Sequence, residues 1–167
     1  MMIIGVMIVG FYIFEIYSNT QVLDSERRAR VQNSLTNCLD HMSKYVQQAD
    51  GSLSSPAIVV TATGFQVRVD FNNPQTPSVF TDDALVSYSL SGNDLSVTCS
   101  GSNCPSFDPT PLSEQIISFT VDVQNNLVEI GLVGRFDPTL PVSGTNGFVN
   151  PQVEMRTRLI CNSSSSG

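Results

Sequence analysis

Four cysteines, one histidine and a few loop aspartates are the residues of this chain whose types and spacing suit chemistry. Cys38, Cys99, Cys104 and Cys161 permit three disulfide pairings. None lies in a C-x-x-C, and the lone His41 adds little toward a zinc set. Cys99 and Cys104 bracket SGSN, a short loop that a disulfide closes readily, which leaves Cys38 to pair with Cys161. The alternative is four buried thiols. An even count with a plausible pairing fits an oxidising compartment. His41 follows Asp40 in a helical segment, so the two side chains diverge and His41 reads as a surface or helix-edge residue. Asp82, Asp83, Asp108 and Asp137 lie in loops and offer the oxygen ligands that calcium takes, without EF-hand spacing; they read as solvated turn carboxylates. G-x-S-x-G, the P-loop, H-E-x-x-H and G-x-G-x-x-G are all missing. The chain does not read as an enzyme, and no cofactor or metal is expected.

The element that must position these residues is the first 49 residues. MMIIGVMIVGFYIF opens the chain with fourteen residues that carry no charge. The pattern then turns amphipathic without a proline, and Gly5 and Gly10 are its only glycines. Val31, Leu35, Cys38, Leu39, Met42, Val46 and Ala49 recur at helical spacing, a stripe meant for a folded domain. The opening half has no polar face, so it needs lipid or copies of itself. Its first seventeen residues span roughly 25 Å at 1.5 Å each, short of the ~30 Å hydrocarbon core, which makes a membrane span marginal. Phe11, Tyr12, Phe14 and Tyr17 crowd its far end as an interfacial belt or packing contacts. Arg27, Arg28 and Arg30 read as a solvated helix face. Met1 is equally an initiator or the first residue left after removal of a leader.

Beyond Asp50-Gly51, read as the helix stop with Gly51 as a left-handed cap, come seven short β-type runs: 57–62, 65–71, 84–90, 94–99, 116–123, 127–133 and 152–161. Phe65, Val67, Val69 and Phe71 alternate with Gln66, Arg68 and Asp70, as a half-buried antiparallel strand requires. Val153, Met155, Thr157 and Leu159 alternate likewise. SGND and QNN supply hairpin turns. Long polar loops cover 72–83, 106–114 and 135–151. The expected fold is α+β, with a long helix whose second half covers one antiparallel sheet. The organisation is 1–24 apolar helix, 25–50 amphipathic helix and 51–167 β-rich domain. Fifteen acidic against eight basic residues give a net charge of −7, which argues against nucleic-acid binding.

The opening MMIIGVMIVGF resembles the start of a processed type IV pilin, which typically runs from an aromatic or Met into T-L-I-E-L-M-I-V. Met7, Ile8 and Val9 match the end of that pattern, and Ile3 and Ile4 its aliphatic pair. Gly5 stands where the family nearly always has glutamate. Residues 26–49, ERRARVQNSLTNCLDHMSKYVQQA, are similar to the second helix half of minor pilins and type II secretion pseudopilins. VSYSLSGNDLSV, PLSEQIISFTVDV and VEMRTRLICN look like the β-domain of that group.

The resemblance implies a pilin-like fold and a structural role as a subunit of a bacterial type IV pilus or pseudopilus filament. Its partners would be copies of itself or other pilins, and the inner membrane before assembly. Its place would be a cell-surface filament or a periplasmic pseudopilus, used in adhesion, motility, DNA uptake or secretion. Filament-core packing then falls to Met1, Ile3, Ile4, Gly5, Val6, Ile8, Val9, Gly10, Phe11, Phe14 and Glu15. The rival reading is a membrane-anchored extracytoplasmic binding domain that never polymerises.

Overall fold

The computed structural model describes residues 2–52, 56–72, 75, 79–107, 110–140 and 150–161, with backbone alone for 2–6. A single helix, α1 (Met2–Gln47), runs unbroken for 46 residues, about 69 Å at 1.5 Å per residue. Its second half lies on the domain along the expected stripe. Val31, Leu35, Met42 and Val46 are fully buried, with Cys38, Leu39, Tyr45 and Ala49 nearly so, while Arg28, Gln32 and Gln47 are exposed.

Seven antiparallel strands follow: β1 (Ile58–Thr61), β2 (Gly64–Val69), β3 (Ala84–Ser91), β4 (Asp94–Ser100), β5 (Ile116–Gln124), β6 (Leu127–Arg135) and β7 (Gln152–Ile160). Each coincides closely with one of the alternating runs. The β3–β4 hairpin turns through Gly92 and the β5–β6 hairpin through Asn125, both at positive φ, which Gly and Asn tolerate best. On β2 the inward set Phe65, Val67 and Val69 is buried, as the alternation requires.

The strands form two sheets rather than the single sheet expected, β1-β2-β3-β4 and β5-β6-β7. The cause lies in the connection after β4. Leu112 N–H donates to the Leu95 carbonyl and Leu95 N–H to the Ser113 carbonyl, both at 2.8 Å. This segment occupies part of the free edge of β4 before β5 begins, so β5 pairs only with β6. The two sheets are joined through their cores. Phe65 of β2 stacks on Tyr88 of β3 and meets Phe119 of β5, with ring centroids 5.0 and 5.9 Å apart. The helix touches β2 of the first sheet and β6 and β7 of the second. It approaches β6 at Gly134, where a Cβ would stand 3.0 Å from Leu35 Cδ2 and 3.1 Å from Val31 Cγ1. The absent side chain is what lets these two helix residues reach full burial.

The helix stop also differs from expectation. Gly51 does not take a positive φ. The chain instead passes from the helix directly into the sheet: Ala49 bridges Val69, and Asp50 N–H donates to the Arg68 carbonyl at 3.0 Å. The last helical carbonyls are satisfied locally, Tyr45 by the Gln48 N–H and Val46 by the Ala49 N–H at 3.1 and 3.3 Å, and β2 takes the next free amide.

Candidate functional site

The feature that the domain does not account for is the first half of α1. Partial burial of the helix begins at Gln21 and Asp24, and at Arg27 the guanidinium lies 4.9 Å over the Phe136 ring. Below that point Met7, Ile8, Val9, Phe11, Tyr12, Ile13, Phe14, Ile16 and Tyr17 are all exposed, Phe11 to 75%. Val22 and Leu23 extend this apolar surface toward the domain. Only Gly10 and Glu15 interrupt this run, so its apolar side chains point around the whole helix. No face of the segment is polar enough to be the water side. Met7, Gly10, Phe11 and Phe14 line a shallow apolar depression along one side, and a Cβ on Gly10 would meet nothing within 4 Å. Glu15 is exposed among them. Of the other residues expected in a filament core, Met1 and the side chains of Ile3, Ile4, Gly5 and Val6 lie outside the described residues. Among the described residues no helix is long and apolar enough to cross a membrane.

Of the arginines beside this segment, Arg28 and Arg30 are solvated as expected, and only Arg27 turns toward the domain. Arg30 pairs with Glu26 at 2.6 Å one helical turn away, Arg27 covers Phe136, and Arg28 is exposed.

Cys99 and Cys104 are joined by a disulfide, with Cα atoms 5.7 Å apart. The expected second bond, Cys38 to Cys161, is not formed, and both residues are buried thiols. The pairing rested on elimination alone, and each thiol has its own surroundings. The stripe turns Cys38 toward the segment before β5, where its Sγ reaches the Leu112 carbonyl at 3.8 Å. Cys161 follows β7, and its N–H donates to the Asn126 carbonyl at 2.8 Å, beside the β5–β6 turn. Burial pushes the Cys38 thiol up to about 11.

His41 is more than a helix-edge histidine. Its Nδ1 lies 2.9 Å from the Tyr88 hydroxyl, and its ring meets those of Tyr45, Tyr88 and Phe107 at centroid distances of 5.0, 5.8 and 5.4 Å. Burial, then the Lys44 charge, lowers its pKa from the ordinary value. A usable signal was present in the i, i+4 spacing of His41 and Tyr45 beside the stripe, and in the alternation that turns Tyr88 inward with Val86.

The loop aspartates divide. Asp137 accepts hydrogen bonds from the backbone N–H and hydroxyl of Thr139, which hold its carboxyl below the usual range. Asp82 accepts from Asn72 Nδ2 at 2.9 Å. Asp83, expected to be solvated, is buried instead, and Asp108 lies outside the described residues. Among the described residues no three His, Cys, Asp or Glu side chains converge as a metal set. A groove between the two sheets is lined by Val60, Thr61, Gly64, Leu90, Phe119 and Thr120. It gathers no titratable side chain.

Compared with known proteins, the chain matches no family model, no curated protein and no solved structure.

Proposed function

We propose that this chain is a structural subunit of a type IV pilin-like filament, assembled through the first half of α1. The observation that carries the reading is the run of large apolar side chains from Met7 to Tyr17, exposed on all sides of a helix whose domain already has a closed core. Burying one such side chain is worth about 1.5–3 kcal/mol, and a helix apolar all round is stable only when surrounded. Copies of the same segment supply that surround in kind. The half-helices would bundle along a filament axis, with the two-sheet domains outside. Before assembly the same segment would hold the subunit at the inner membrane.

The pilin-like opening pattern, with Ile3, Ile4, Met7, Ile8 and Val9 in register, supports the same reading. The disulfide of the Cys99–Cys104 loop suits a location outside the cytoplasm. Negative-stain microscopy of native material tests the proposal. Filaments labelled by an antibody to the β-domain are the expected result. Dispersed particles of single-subunit mass, under conditions where the chain is abundant, would favour the anchored binding domain instead.

A further inference from the structure

Asp83 stands immediately before β3, only 7% exposed, and both its carboxylate oxygens are buried with no hydrogen-bond donor among the described residues. The charged groups that act on it come from each neighbouring element: Asp70 and Arg68 at the end of β2, Asp50 after α1, and Asp82 in its own loop. Residues 100–104 of the disulfide-closed loop bring no charged group. Asp70 is itself only 8% exposed. The single cation of the set, Arg68, points its Nη1 at the Phe80 carbonyl, 2.8 Å away, rather than at Asp83.

The position is a seam between three parts of the fold. Asp50 is tied to Arg68 through the backbone. On the opposite side, the loop after β4 lies on Asp83 itself. Gly101 sits at φ 113°, and a Cβ there would come within 2.8 Å of the Asp83 carbonyl oxygen. An ionised carboxylate in this setting has lost its water and gained no donor, with other carboxylates close by, a costly arrangement. The neutral acid carries no such charge.

We propose that Asp83 is a proton-held latch: as a neutral acid it closes the seam between the end of α1, the loop before β3 and the Cys99–Cys104 loop, and on losing its proton it loosens that seam. The domain thereby becomes sensitive to the pH around it at a site remote from the apolar helix half. The direction of its pKa agrees. Burial raises it most, Asp70 raises it further, Arg68 opposes, and Asp50 and Asp82 add smaller increases. A folded value above the unfolded one means that the stabilising contribution is complete below the usual aspartate value of about 4 and is lost as pH rises through the folded value.

The test uses the full chain in detergent micelles. Carboxyl-labelled aspartate is titrated by NMR, and amide hydrogen exchange is followed at residues 50–51, 82–84 and 101. Asp83 is expected to titrate above the ordinary aspartate range. Protection at the seam, corrected for intrinsic exchange, should fall as pH rises from about 4 through the folded value, by about tenfold for each unit by which that value is raised. Asp83→Asn should keep protection high across the same range. Titration of Asp83 at or below the ordinary range would overturn the proposal, as would identical pH profiles of protection in the two proteins. Should the variant fail to fold, the titration of the unmodified chain decides by itself.

Discussion

The Tyr88 hydroxyl and His41 Nδ1 meet at 2.9 Å between α1 and β3, ringed by Tyr45 and Phe107. With its proton on Nε2, the neutral imidazole accepts from Tyr88; the charged ring loses that acceptor and must sit among aromatic side chains near Lys44. Burial of the ring, then the Lys44 charge, favours the neutral form and lowers its pKa. Since the folded value lies below the unfolded value of about 6.5, the stability from this contact is complete above about pH 6.5 and is lost as pH falls through the folded value. Denaturant midpoints measured across this window should decline for the unmodified chain, and the decline should shrink in His41→Gln. The comparison between the two proteins isolates His41 from Asp83, whose contribution runs the opposite way. Equal slopes would place the acid sensitivity elsewhere.

At the scale of elements, the second half of α1 acts as the lid of both sheets. Leu39 is central to it at 6% exposed. Leu39→Ala should cost about 2–5 kcal/mol of unfolding free energy, the range for removing a buried leucine side chain. A change within error by urea melting would mean that the stripe is not what holds helix to domain. The stripe and the strands were legible because their periods, 3.6 and 2, are imposed by burial on one face. The split into two sheets was not legible. It depends on residues 112–113 taking the edge of β4, which no periodicity announces. Gly134 was equally silent: it follows the last alternating residue of β6, and its meaning comes only from Leu35 and Val31 lying over it. Asp70 and Asp83 mislead for a related reason. Alternation and loop position assign them to water, yet both are buried, Asp83 with the Gly101 turn lying on its backbone.

In the molecule as a whole, a closed domain carries a bare helix, and the junction between them is where assembly should leave a mark. Ser18, Asn19 and Thr20 are indifferent helix formers. In the isolated chain the Thr20 hydroxyl donates to the Ile16 and Tyr17 carbonyls at 2.8 and 2.9 Å, a back-bonding habit that competes with the regular ladder and bends helices. We expect part of Phe14 to Leu23 to become extended in a filament. Unbroken i→i−4 hydrogen bonding through those residues in a filament reconstruction would refute this.

The last prediction follows from what the apolar half lacks. Under the proposed filament reading, Gly5 stands where the pilins that the opening resembles have glutamate, and no carboxylate near the start of the helix would guide a neighbouring subunit. Glu15 stands ten residues further on, roughly 15 Å along the axis. Assembly would then depend on close apolar packing, for which small residues let helix backbones approach. Gly10 is the position to examine, because the isolated chain gives it no reason to be glycine: its helix is regular, and a Cβ would meet nothing within 4 Å. Gly10→Leu should therefore leave the melting of the β-domain unchanged, and leucine should favour the helix by about 0.5–1 kcal/mol. Filament yield should nonetheless fall steeply, since the new side chain fills the depression between Met7, Phe11 and Phe14. Undiminished filaments from Gly10→Leu would mean that this side of the helix faces no neighbour, and the bundle would have to be built on another face.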